Sequence, residues 1–296
     1  MVLSEHQYRQ EGLSKKNEVP SHGLSVSIFF ARLVLPHPHG GKIMTKFSIG
    51  NKEFVNFLSN FGKDLVDIVI KVTHSNISAS VAKSTHYIYR KVDCEPEETG
   101  KVYITDIPKV KNYLSTVKSD NITVSQSGKT GTLHIRGKDT SLQLPTSSFI
   151  ESQKKVGIIE KAIADSKESM WRSWFHTPLT HHAKVEANAL RPVSGFGKVL
   201  GDKINCKTEF DSDGQEFIIR GGKKETGKMF VRASLTDVES NSTFARSAFD
   251  KWLPQLLSHL PSGQIDMHTG DETVLILEQP STGFLMIVID QEYEED

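Results

Sequence analysis

Cysteine is nearly absent: Cys94 and Cys206 are the only two in 296 residues. Two distant thiols cannot build a disulfide framework or a cysteine-based zinc site, and a reducing compartment fits such a chain. An excess of one charge is absent as well. Lys plus Arg and Asp plus Glu each number 36, giving a formal net charge of zero. That excludes a protein basic over its whole surface, but not one basic face balanced by acidic faces. Long apolar runs are also missing. The longest, Val26–Leu35, carries Arg32 and is too short to span a bilayer. No charged-then-apolar leader with a small-residue cleavage site opens the sequence. The expectation is an intracellular chain with no membrane association. Apolar residues make 37% and charged residues 24%, the mix of a folded chain rather than a disordered one.

Residues 1–43 differ from the rest. Segment 1–25 is polar and irregular, and Pro36-His-Pro-His-Gly-Gly41 cannot continue a helix or a central strand. From Met44 the pattern becomes regular. An alternating strand, Lys46–Ile49, precedes a helix over 51–61, with Asn51 as N-cap and a stripe of Phe54, Phe57, Leu58 and Phe61. Period-two runs predict strands at 66–73, 76–83, 86–93 and 101–104. A second helix, 108–118, is entered through Asp106, and strands follow at 121–126, 131–136 and 140–144. After a connector, 145–180, with a helical stretch near 156–166, the same order returns. It reads strand 182–186, helix 188–200, four strands within 205–246, helix 249–260 and strands 264–268, 273–278 and 284–290. Each half reads β-α-β-β-β-β-α-β-β-β, a repeat of topology without a repeat of residues. The fold class is α+β, in two tandem domains. The boundaries are 1–43 as a flexible extension or an upstream misassigned start, 44–144, the connector 145–180, and 181–296 with an acidic tail.

Chemical motifs are weak. Gly128-Lys-Thr130 lacks the first glycine of a phosphate loop and lies between strands, so it reads as a hairpin turn. Ser194-Gly-Phe-Gly-Lys198 lacks the third glycine of a dinucleotide fingerprint. His37, His39, His176, His181 and His182 have no acid or thiol at a supporting spacing, so they read as loop histidines rather than zinc ligands. Asp64 with Asp67, and Asp211 with Asp213, are explained by turns and strand edges. Trp171 and Trp174 read as packing residues. No constellation supports an enzyme, a cofactor or a metal.

The helices carry a pattern on their outer faces. Lys52 and Lys63 oppose the first stripe, Lys109 and Lys111 flank the second helix's polar side, Arg191 and Lys198 oppose the third, and Lys251 lies on the fourth. One such face is ordinary solvation. Four alike, with cations among small polar residues, form a surface that can hold phosphates without reading bases.

The element order over 44–290 resembles the DNA sliding clamps, the polymerase processivity factors of archaea, eukaryotes and large phages. The stretch Ser247-Ala-Phe-Asp-Lys-Trp-Leu-Pro-Gln-Leu-Leu-Ser-His-Leu260 with Gln264-Ile-Asp-Met267 is similar to the family's last helix and following strand. Gly283-Phe-Leu-Met-Ile-Val-Ile-Asp290 and the acidic Glu292-Tyr-Glu-Glu-Asp296 are similar to its C-terminus. Pro254 inside the fourth helix and Gly195 and Gly197 in the third depart from the pattern.

The resemblance implies a homotrimeric ring with sheets outside and helices lining a hole around double-stranded DNA, bound without sequence preference. It implies a DNA polymerase and a clamp loader as partners, and a cytoplasmic or nuclear location according to the host. By position it also implies a partner-peptide groove formed by Leu144, Phe149, Ile150, Val288 and Ile289. Two other readings stay open: a structural or assembly protein such as a virion component, and a clamp-like docking protein that does not encircle DNA.

Overall fold

The computed structural model describes residues 44–62, 65–127, 131–146, 156–168, 170–175, 177–195, 252–270 and 274–289, and the backbone of strands within 208–249. The chain divides into two compact units, Met1–Gly41 and Lys42–Asp296. The expectation about residues 1–43 lies outside the described residues, which all belong to the second unit.

The first half runs β1 (Met44–Gly50), α1 (Asn51–Ser59), β2 (Ile68–Val72), β3 (Asn76–Ala82), β4 (His86–Asp93), β5 (Glu95–Glu98), β6 (Gly100–Ile104), α2 (Ile107–Thr116), β7 (Asn121–Ser127), β8 (Thr132–Arg136) and β9 (Ser141–Pro145). The connector holds α3 (Val156–Glu168) and a small hairpin, β10 (Ser173–Trp174) with β11 (Thr177–Pro178). The second half runs β12 (His181–Glu186), α4 (Ala187–Leu190), β13 (Thr208–Ser212), β14 (Phe217–Gly221), β15 (Val231–Leu235), β16 (Glu239–Ser240), β17 (Ala245–Phe249), α5 (Trp252–Leu257), β18 (Gln264–Thr269), β19 (Val274–Gln279) and β20 (Phe284–Ile289).

The halves match strand for strand. The sheet β5-β1-β7-β8-β9 corresponds to β16-β12-β18-β19-β20, and β6-β2-β3-β4 corresponds to β17-β13-β14-β15. Five strands, not the expected four, separate the helices in each half. The additions are the edge strands β5 and β16, which pair with β1 and β12. Glu95-Pro-Glu-Glu98 has no alternation and contains a proline, which only an edge tolerates. At the centre, β20 pairs antiparallel with β4, from Phe284 opposite Arg90 to Val288 opposite His86. This junction fuses one sheet from each half into a single nine-stranded sheet.

Helices α1, α2, α4 and α5 cover one face of this framework. Phe54, Phe57 and Leu58 of α1, Val110 and Leu114 of α2, Leu190 of α4 and Leu253 of α5 join one continuous core with Phe284, Met286 and Val288 of β20. The alternate residues of β20, Leu285 and Ile287, enter a second core under the connector. Burial on both faces explains why β20 is an unbroken apolar run.

Three helix readings need correction. Asn51 is not the N-cap of α1; Gly50 holds that position without a side-chain cap. The third helix is short: α4 ends at Leu190 and tightens into a 3-10 turn over Arg191–Gly195. Pro192 supplies no N–H to an α ladder there. The fourth begins at Trp252, after Phe249 has ended β17, so Pro254 falls in its first turn, where no N–H is needed.

Candidate functional site

The solvent side of the helix layer is built from both halves. Helix α1 exposes Lys52, Glu53 and Asn56, and α2 exposes Pro108, Lys109, Asn112, Ser115 and Thr116. In the second half Asn188, Arg191, Gln255 and Ser258 are exposed. Two asparagines hold the layer, Asn51 buried and Asn60 half-buried. Asn51 donates from Nδ2 to the carbonyls of Leu114 at 3.1 Å and Val117 at 3.2 Å, so it satisfies the end of α2 rather than the start of α1. Asn60 Nδ2 donates to the His259 carbonyl at 2.6 Å, linking the two halves.

The expected phosphate-binding cations are not equally available. Lys52 is exposed and makes no ion pair among the described residues. Lys109 is exposed but pairs with Asp106 at 3.1 Å across one helical turn. The Asp106 carboxylate also caps α2, accepting from the Lys109 N–H at 2.9 Å. That backbone hydrogen bond, with the Lys109 side chain, holds the Asp106 carboxyl below its ordinary range. Lys111 is half-buried and engaged. Arg191 is exposed and donates to the Ser262 hydroxyl at 2.9 Å. Lys63, Lys198 and Lys251 lie outside the described residues.

The expected peptide groove divides between two cores. Leu144 and Val288 belong to the helix-side core, 8% and 4% exposed, whereas Ile289 packs against the connector's core. Phe149 and Ile150 lie outside the described residues. Sequence reasoning left the junction face itself unnamed. Ala82 and Tyr87 from the first half line it with Val274, Ile276, Leu285 and Ile287 from the second.

The connector lies on that face. Trp171 and Trp174 are 5% and 2% exposed, and α3 adds Val156 and Ala162, with Ile159 and Ile163 partly buried. Polar contacts fix it in place. Trp171 donates its indole N–H to Glu278 at 2.8 Å, Lys167 pairs with the same carboxylate, and Ser80 donates to Glu160 at 3.1 Å. After α3 the Met170 N–H donates to the Lys167 carbonyl and the Trp171 N–H to the Ser166 carbonyl, each at 2.9 Å. This closing turn ordinarily carries glycine at its left-handed position. Here Met170 occupies it at φ 54°, followed by Trp171 at 57°.

His182 and His268, with Nδ1 atoms 2.6 Å apart, lie beside Trp171 on this face. His182 and the buried His181 are therefore in strand β12 rather than in a loop. Burial pushes the His268 pKa down to about 4 and lowers that of His182. No group of three or more His, Cys, Asp or Glu among the described residues is arranged to hold a metal. No described helix is long and apolar enough to cross a membrane.

No family model and no curated protein matches the chain. Solved structures do. The DNA polymerase III beta subunit of Thermotoga maritima superposes with a TM-score of 0.61 at 14% identity, covering 84% of this chain and 66% of that one. PCNA of Thermococcus kodakaraensis gives 0.60 at 16%, covering 83% and 98%. The A. fulgidus PCNA, bound to the C-terminal region of FEN-1, gives 0.57 at 13%, covering 85% and 100%. The chain thus spans just under two thirds of the bacterial subunit's length. At these identities the likeness is one of fold, and the fold is that of the sliding clamps.

Proposed function

We propose that this chain works as a sliding clamp: three copies join head to tail, encircle duplex DNA and tether a DNA polymerase, making and breaking no bond. The carrying observation is the β4–β20 junction. Strands β15 and β9 hold the places in their halves that β4 and β20 hold in theirs, and among the described residues each pairs on one side only. Two open edges that match an existing junction favour the same pairing between copies. Such a contact is heterologous and closes into a ring when the rotation at each step is right. Met286 lies opposite Ile88 at the internal junction. Leu142 and Val231 occupy the corresponding positions, so they should face each other between copies.

Light scattering of the purified protein should give a trimer. With Cys94 and Cys206 changed to Ser, a chain carrying Leu142→Cys and Val231→Cys should oxidise to a covalent ring. A monomer at micromolar concentration, or no cross-link in a trimer, would overturn this arrangement.

The helix layer, with Lys52, Lys109 and Arg191 among small polar residues, would face the DNA. Lys63, Lys111, Lys198 and Lys251 complete the proposed set. Zero net charge suits this design, because acids on other faces balance a basic hole. A separate loader would open the ring. A partner peptide with apolar and aromatic anchors would dock beside the connector near Phe149, Ile150 and Ile289, with Leu144 and Val288 supporting from the core; the archaeal neighbour's structure holds the C-terminal region of FEN-1. Ile150→Asp should then abolish polymerase stimulation while the ring still forms.

A further inference from the structure

The two halves place corresponding residues on the sheet face turned away from the helices, and there their chemistry differs. Register aligns Lys46 with His182, Thr123 with Asp266, Ser125 with His268 and Arg136 with Glu278. In the second half this face holds a segment of its own chain. Glu278 accepts from the Trp171 indole and pairs with Lys167. Acid on the sheet meets a donor and a cation on the segment.

In the first half the same face has an open cavity of about 370 Å³, lined by Lys46, Asn121, Thr123, Ser125, Arg136 and Lys138 among others. Among the described residues no acidic side chain lines it. Lys46 is already paired, with Glu97 of the edge strand β5. Arg136 and Lys138 are exposed and make no ion pair among the described residues. The loop bearing Lys138 is fixed by its own N–H, which donates to Ser119 Oγ at 2.6 Å. Hydroxyl and amide groups of Thr123, Ser125 and Asn121 supply hydrogen bonds between the cations.

We infer that this cavity is a docking site for an acidic peptide segment of a partner protein. Three relations carry the inference. The equivalent face in the second half already holds a peptide segment, over an apolar core and through the contacts of Glu278 with Trp171 and Lys167. Arg136, standing where Glu278 stands, inverts the sign, so the complementary segment carries carboxylates. The Lys46–Glu97 pair is an instance of that recognition within the chain itself. Nucleic acid fits less well, because no aromatic side chain among the described residues lines the cavity to stack a base. The inference does not depend on ring formation or on DNA.

The test uses the full chain and fluorescein-labelled hexaglutamate, read by anisotropy at low salt. Wild type should bind the peptide, and Arg136→Glu with Lys138→Glu should weaken binding by about tenfold or more. The milder Arg136→Gln should weaken it severalfold. Lys71→Glu, an exposed cation of β2 outside both this cavity and the helix layer, should leave it unchanged. All these positions are exposed, so thermal melts should match wild type.

Equal binding by wild type and the double reversal would overturn the proposal, as would an equal loss in Lys71→Glu. An oligothymidylate that displaces the peptide from wild type at equal charge concentration would make the cavity a phosphate site instead. Tighter peptide binding by a chain ending at Ile289 would make the acidic C-terminal tail its occupant, and would equally overturn a partner's segment.

Discussion

The indole N–H of Trp171 donates to Glu278 at 2.8 Å, tying the connector to β19 of the second half. The same carboxylate pairs with Lys167, so one acid on the sheet holds both ends of the turn that leaves α3. The Glu278 side chain is only 14% exposed, which strengthens both contacts relative to a surface pair. Glu278→Ala should therefore destabilise the protein by about 2 kcal/mol, since it leaves a buried indole donor unpaired. Trp171 and Trp174 are two of the three tryptophans, so fluorescence reports directly on the connector. Its emission should shift to the red in Glu278→Ala and stay put in a control substitution at exposed Lys184. An unshifted spectrum with unchanged stability would show that apolar packing alone holds the connector.

Met170 gives the opposite expectation. It occupies the left-handed position after α3 at φ 54° and is 69% exposed. Its side chain gains little from burial, while its Cβ is strained against the following carbonyl. Met170→Gly should stabilise the protein by up to about 1 kcal/mol, net of the entropy that glycine adds to the unfolded chain. A drop in denaturation midpoint would mean that the methionine side chain makes an apolar contact worth more than the strain.

Asn51 is 8% exposed and donates to two carbonyls at the end of α2, while its own N–H donates to Asp120. Asn51→Asp removes both side-chain donors and points a carboxylate at two carbonyl oxygens. The cost should be about 2–4 kcal/mol near neutral pH and smaller in acid, where the carboxyl is protonated and can donate once. Urea denaturation at the two pH values checks both the size and the direction.

Three histidines set an acid limit. Burial, with Lys83 adding to it, pushes His86 down to about 4. Burial does the same to His268 and lowers His182, which face each other at 2.6 Å. Folded-state values below the ordinary histidine value mean that the unfolded chain takes up protons first. Stability should be full above about pH 6.5 and fall steadily toward pH 4, by about 3 kcal/mol for a histidine shifted this far. His268→Phe should flatten that decline, as followed by chemical denaturation across the range. An equally steep decline in the variant would assign the acid sensitivity to carboxylates instead.

Much of this architecture was legible in the sequence, for identifiable reasons. Strands with one buried face alternate, as β1 and β7 do with Phe47, Ile49, Ile122 and Val124 inward, and α1 and α2 each carry a single stripe. What periodicity could not give is contact between distant segments. Asn51 satisfies both an N-cap pattern and its actual role on α2, and only the fold distinguishes them. The charged edge strand β5 exists because β1 offers it a partner, and its own residues favour no strand. The junction face was hidden because Leu285 and Ile287 alternate with equally apolar Phe284, Met286 and Val288. The candidate cations were read from helical wheels, which fix the face but not the pairing of Lys109 with Asp106.

The helix layer gives the last prediction. Lys52 and Arg191 are exposed on α1 and just after α4, one from each half, and neither helps pack its helix onto the core. If the layer faces DNA, each cation meets phosphates loosely and sums with its copies around a ring. Such contacts release counterions, so retention on primed circular DNA should fall steeply with salt and show no sequence preference. Lys52→Glu combined with Arg191→Glu should lower retention and polymerase processivity by about tenfold at moderate salt and flatten the salt dependence. Melting temperature and oligomeric state should match wild type, because the stripe residues Phe54, Phe57 and Leu190 are untouched. If these side chains are merely solvated, neither retention nor processivity will move. Wild-type processivity in a correctly assembled double variant would turn the helices away from DNA and leave the clamp proposal without its electrostatic surface.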